Sequence, residues 1–132
     1  MLRDIAGSLF MDGNRNCAES VLLAANEHYK LGLKPGDERL IAGFGAGMGC
    51  GKVCGALAGC IAVLGYTRIT TCAHETDGFK QSCAEFTEEF VHRFGDINCE
   101  TLKCRYTKPG QRCQELVKSV CDLLEDFLKR EL

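Results

Sequence analysis

The sequence predicts an all-α fold, a single-domain bundle of about five helices around a glycine-rich central helix. Apolar residues recur at spacings of three and four through most of the chain, and no alternating run marks a strand. The β-branched residues are scattered rather than clustered. A length of 132 residues with 45% hydrophobic content is enough to bury one core, so residues 1–132 read as one cysteine-rich helical domain.

The elements follow in order. Leu2, Ile5, Leu9 and Phe10 share one face of a first helix over 2–10, closed by Asp12-Gly13. Asn16 stands three residues before Glu19, the spacing of a capping box, and Cys17, Val21, Ala24, Ala25 and His28 continue that second helix to about Lys30. Gly32, Pro35 and Gly36 make a loop, after which Asp37 is placed to cap a short helix through Leu40 and Ile41.

The middle of the chain is unusual. Glycines alternate through Gly43, Gly45, Gly47, Gly49 and Gly51, and an apolar run from Val53 to Leu64 follows. That run is too short to span a bilayer, so it reads as a buried central helix. Gly51, Gly55 and Gly59 fall four apart and predict one helix face for close backbone approach, within the subunit or across a homodimer axis. Phe79, Cys83, Phe86, Phe90 and Phe94 then predict a helix from about Thr76 to Phe94, stopped by Gly95. Asn98–Tyr106 reads as a link to Pro109. The last helix carries Cys113, Leu116, Val117, Val120, Cys121, Leu124, Phe127 and Leu128 on one stripe.

Ten cysteines carry the chemistry. Asp4 interrupts the N-terminal apolar run, so no export signal is read and a cytoplasmic, reducing location is expected. There, many thiols point to metal, cluster or redox work rather than structural bridges. A net charge of −2 without a basic block gives no case for nucleic acid. No C-x-x-C pair occurs, which excludes the motifs of thioredoxin-like exchange, c-type haem attachment and zinc ribbons. The glycines fit neither G-x-G-x-x-G nor a P-loop, so no nucleotide cofactor is indicated.

Individual thiols differ in expectation. Cys17 at a helix N-terminus beside Arg15 is expected to have a lowered pKa, and the dipole argument applies equally to Cys113. Cys50 and Cys54, if both helical, have β-carbons ~5–6 Å apart, which suits two ligands of one metal better than a disulfide. Lys52 and the backbone N–H groups around Gly49, Gly51 and Gly55 would stabilise thiolates or an anionic cluster. Cys60, Cys83 and Cys121 read as packing, and Cys72 with His74 as a mixed S/N pair or an exposed loop.

Asn16-Cys17-Ala18-Glu19-Ser20-Val21, the glycines of 43–49, the box Cys54-Gly55-Ala56-Leu57-Ala58-Gly59, Phe90 to Gly95 with Cys99, and Cys113 with Leu116-Val117 together resemble a known pattern. It is that of the bacterial and archaeal C_GCAxxG_C_C family of redox-active, cysteine-rich proteins, whose CGAxxG box is intact at 54–59. The resemblance implies a quartet of Cys17, Cys54, Cys99 and Cys113; Cys50 lies outside it and is the next candidate ligand from its spacing to Cys54. It implies redox activity through a bound metal centre, or through the same four acting as redox thiols if metal-free. An iron–sulfur cluster for electron transfer or sensing, served by a redox partner, leads. Thiol–disulfide exchange follows, then a structural zinc site, then an interaction domain without turnover.

Overall fold

The computed structural model describes residues 1–131, and these form an all-α protein. The α-helices are α1 (Leu2–Met11), α2 (Cys17–Tyr29), α3 (Arg39–Ala42), α4 (Gly55–Arg68), α5 (Phe79–Phe94), α6 (Cys99–Tyr106) and α7 (Gln114–Glu131). Among the described residues there are thus seven α-helices where about five are expected from periodicity. Helix α3 falls where a short helix through Leu40 and Ile41 is expected, whereas α6 lies within residues 98–106, which read as a link. Helix α6 buries Leu102 alone, so it carries no stripe to read. Among the described residues no helix is long and apolar enough to cross a membrane.

Helix α2 begins as its sequence dictates. The Asn16 side chain accepts from the Glu19 amide at 2.9 Å, and the Glu19 carboxylate accepts from the Asn16 amide at 3.0 Å. Asn16 also donates to the Ala42 carbonyl at 2.9 Å, which ties this cap to the last residue of α3. Asp37 does not cap α3. It accepts from the Lys34 amide instead, and Glu38 takes the N-cap position without a side-chain cap bond. Leu40 is 87% exposed, because α3 is too short to turn more than Ile41 into the core.

The central glycines part company with the expected helix. Ala46, Gly47, Met48 and Gly49 lie in the left-handed region, with φ of 54°, 62°, 61° and 73°. Gly51 has φ of 78° and stands before α4, so the Gly51/Gly55/Gly59 face reduces to Gly55 and Gly59. These two press on α2: a β-carbon on Gly59 would lie 3.0 Å from the Ala18 carbonyl oxygen. Cys50, at φ −138°, is not helical either, so Cys50 and Cys54 do not share a helix face.

Helix α5 starts at Phe79 rather than Thr76, because a single 3₁₀ turn at Ala73–Glu75 and left-handed Gly78 precede it. Gly95 ends it in the left-handed conformation, donating to Val91 at 2.7 Å. Phe86 on α5 meets Phe127 on α7 edge to face, ring centres 5.2 Å apart. Helix α1 lies against α2 and α7. The Leu2 amide donates to the buried Glu125 carboxylate, and Arg3 pairs with Asp122.

Candidate functional site

Each of the four cysteines that the resemblance selects stands at the start of a helix. Cys17 is the first residue of α2, Cys54 the N-cap of α4, and Cys99 the first residue of α6. Cys113 immediately precedes α7 and accepts from the Val117 amide at 3.0 Å. Two short extended segments bring the middle pair together. The Cys54 amide donates to Ile97 at 2.7 Å and the Cys99 amide to Lys52 at 2.6 Å, around a single antiparallel bridge between Val53 and Asn98. All four cysteines line one cavity of about 30 Å³, with Gly55, Leu102 and Lys103 among its other walls.

The convergence has an electrostatic consequence. The unsatisfied amides of a helix start carry roughly half a positive charge, and four such starts face one small space. Amides also aim at individual sulfurs: those of Ala46 and Ala18 at Cys17, and those of Leu57 and Ala56 at Cys54. These donors favour the thiolate. Burial opposes them and wins. Desolvation raises the Cys17 pKa, with repulsion from Cys99 and Cys113 adding to it. Cys54, 4% exposed, is pushed up to about 12 by burial and by repulsion from Cys17 and Cys99. Cys99 is raised by burial and by Cys113, against the pull of Lys103.

The expected lowering at Cys17 is therefore reversed. A helix start favours the anion, but taking the thiol out of water costs more. Arg15 does not assist, since its guanidinium pairs with Glu19 at 3.6 Å and Glu38 at 3.4 Å.

The remaining candidates separate by position. Cys50 is exposed and lines an open cleft beside the cavity, together with Gly49 and Gly51. Its sulfur lies 3.6 Å from the Gly47 carbonyl. Gly55 walls the inner cavity, and Lys52 serves the loop through its backbone. Lys103, on α6, is the cation that lines both spaces. Periodicity missed it because α6 itself has no pattern. Cys60 and Cys121 are buried in the core, whereas Cys83 is only half-buried, on the rim of α5. Cys72 and Cys104 are exposed. Among the described residues no group of three or more His, Cys, Asp or Glu is arranged to hold a metal ion.

Residues 15–127 match the family described as "Putative redox-active protein (C_GCAxxG_C_C)". The chain belongs to this family. No curated protein and no solved structure matches it. The family's CGAxxG box has a physical reading here. Its cysteine caps α4, and its two glycines are the places where α4 meets α2 without β-carbons between them. Gly55 faces the Cys17 sulfur and Gly59 faces Ala18 and Val21. The box therefore joins a thiol to the close packing that sets a second thiol beside it.

Proposed function

We propose that the chain is a redox protein whose centre is the quartet Cys17, Cys54, Cys99 and Cys113, holding an iron–sulfur cluster for electron transfer or sensing. The observation that supports this most is the meeting of four helix starts at one thiol-lined cavity. A tetrathiolate centre is anionic, and helix starts with N–H groups aimed at sulfur are what such a charge needs. An all-thiol donor set selects soft metals over magnesium or calcium. Thiols pushed up by burial are weak nucleophiles while free, whereas a metal-bound thiol gives up its proton outright.

The donor chemistry thus fits. Among the described residues no group of three or more His, Cys, Asp or Glu is arranged to hold one ion, as a tetrahedral site with sulfurs ~2.3 Å from one point would require. A cluster divides its ligands among several irons, which is why it is preferred to zinc. When bound, the group supplies a reversible one-electron acceptor. The chain's own contribution is to supply the thiols, to direct the amides of Ala46, Ala18, Leu57 and Ala56 at two of them, and to wall the space with Leu102, Leu116 and Val117. Ten free cysteines suit a reducing compartment, and we assign the chain to the cytoplasm.

A second reading, dithiol–disulfide exchange, draws on Cys99 and Cys113. Both are half-buried, both line the open cleft, and Cys113 raises the Cys99 pKa.

Anaerobic purification with a visible spectrum and assays of iron, sulfide and zinc decides between them. Iron and sulfide in stoichiometric amounts, lost in Cys54→Ser and retained in Cys72→Ser, are expected. A colourless, metal-free protein whose thiol titre changes reversibly with a dithiol reductant replaces the first reading by the second. Stoichiometric zinc alone overturns both.

A further inference from the structure

The cleft beside the quartet has a charge pattern that the cysteines do not explain. It encloses about 640 Å³, within the range of small-molecule sites. Cys17, Cys99 and Cys113 line both this cleft and the inner cavity, so the cleft leads to the quartet. Cys54 lines only the inner space. Two cations line the cleft, Lys103 from α6 and Arg112 from the turn before α7, against one carboxylate, Glu100. Among the described residues neither cation forms an ion pair.

Arg112 is held in place rather than solvated at random. Its guanidinium lies 4.3 Å from the centre of the Phe10 ring and donates to the Phe10 carbonyl. Its backbone is left-handed, at φ 51°, in the turn bridged by Lys108 and Arg112. A guanidinium has five N–H donors in a planar fork, and the Phe10 carbonyl engages one amino group. The rest of the fork is free for a planar or tetrahedral anion. A fixed guanidinium and an unpaired ammonium thus line the cleft together with the thiols of Cys17, Cys50, Cys99 and Cys113.

We propose that this cleft binds a small organic anion, its carboxylate or phosphate on Arg112 and Lys103. Arg112 and Lys103 lie outside the quartet, so the proposal does not depend on what those cysteines hold.

Cys50, exposed at the cleft, is the reporter. Iodoacetate is itself a small carboxylate, and iodoacetamide is its neutral counterpart. In either reaction the Cys50 thiolate attacks the methylene carbon, a sulfur–carbon bond forms, iodide leaves, and the thiol proton passes to solvent. Alkylation of the full chain is followed by peptide mass spectrometry, with exposed Cys72, outside the cleft, as internal reference.

The expected result is an iodoacetate-to-iodoacetamide rate ratio at Cys50 about tenfold above that at Cys72. Lys103→Gln and Arg112→Gln should each lower the Cys50 ratio and leave its iodoacetamide rate unchanged. Lys52, two residues after Cys50 in sequence, is intact in both variants and so is not the source of such a change. Slowing of iodoacetate by benzoate assigns the head group as carboxylate, and slowing by phenyl phosphate as phosphate. Equal ratios at Cys50 and Cys72, or a Cys50 ratio indifferent to Lys103→Gln, overturn the proposal. Lys103 is exposed, so that variant carries the test even if Arg112→Gln fails to fold.

Discussion

The sulfur of Cys17 occupies the space that a side chain on Gly55 would need: a β-carbon there would lie 2.5 Å from Cys17 Sγ and 2.8 Å from the Phe44 carbonyl oxygen. The thiol has some freedom to turn aside, but the carbonyl does not. Gly55→Ala should therefore destabilise the protein by about 1–3 kcal/mol despite the better helix propensity of alanine. Gly65, in the same helix, meets nothing nearer than Phe79 at 3.7 Å, and Gly65→Ala should stabilise by up to ~1 kcal/mol. Urea midpoints of the two variants should move in opposite directions.

Asn16 holds two structures at once, the start of α2 and the end of α3. Asn16→Ala should cost about 1 kcal/mol through the lost cap, plus the loss of the bond to Ala42. Asn16→Asp keeps a capping oxygen but has no donor for the Ala42 carbonyl, so its melting temperature should fall between the two. A melting temperature for Asn16→Asp equal to that of Asn16→Ala would show that the link to α3 is the larger contribution.

These two sites mark what periodicity and capping rules can and cannot read. The capping box at Asn16 and Glu19 is local, and α2 begins where those residues place it. The stripe from Leu116 to Leu128 is equally plain, because α7 has a single buried face. The glycine segment was opaque for a physical reason. Gly51, Gly55 and Gly59 have the spacing of a helix face, but the alternating glycines before them permit the left-handed path that Ala46 to Gly49 take, with Gly47 packed against Cys99 and Lys52. The cysteine order could be read by resemblance. That the four cysteines open four helices around one space depends on the Lys52–Cys54 and Ile97–Cys99 pairing, which no local pattern announces.

Met48 adopts a left-handed backbone at φ 61° and is 46% exposed, so it pays a steric cost without much packing in return. Met48→Gly should remove strain of about 1–2 kcal/mol and return part of it, roughly 0.5–1 kcal/mol, as unfolded-chain entropy. A small net gain is expected in denaturant titration. A loss beyond 1 kcal/mol would mean that the Met48 side chain makes contacts that matter.

Alkaline pH should weaken the core through Cys121. Burial first, then Asp122 and Glu125, push its thiol from 9.0 up to about 12. Between those values the unfolded chain has released a proton that the folded chain still holds, so stability falls as pH rises. The contribution is complete below about pH 9 and lost at ~1.4 kcal/mol per pH unit above it. Cys60 and Tyr29, also raised chiefly by burial, act in the same direction. Urea midpoints measured from about pH 8 to 11 should decline less steeply in Cys121→Ala than in the parent.

The clasp of α1 on α7 sets a schedule for synthesis. Leu2 meets Glu125, and Cys17 must wait for Cys113, so both the first helix and the thiol cavity are completed only when roughly 100 more residues have left the ribosome. At ~5–20 residues per second that is a delay of about 5–20 s. Through it, Cys17, Cys54 and Cys99 emerge in turn before the cavity is complete. Of the four only Cys54 is fully enclosed in the finished fold, so oxidation of Cys54 should fall mainly on nascent chains.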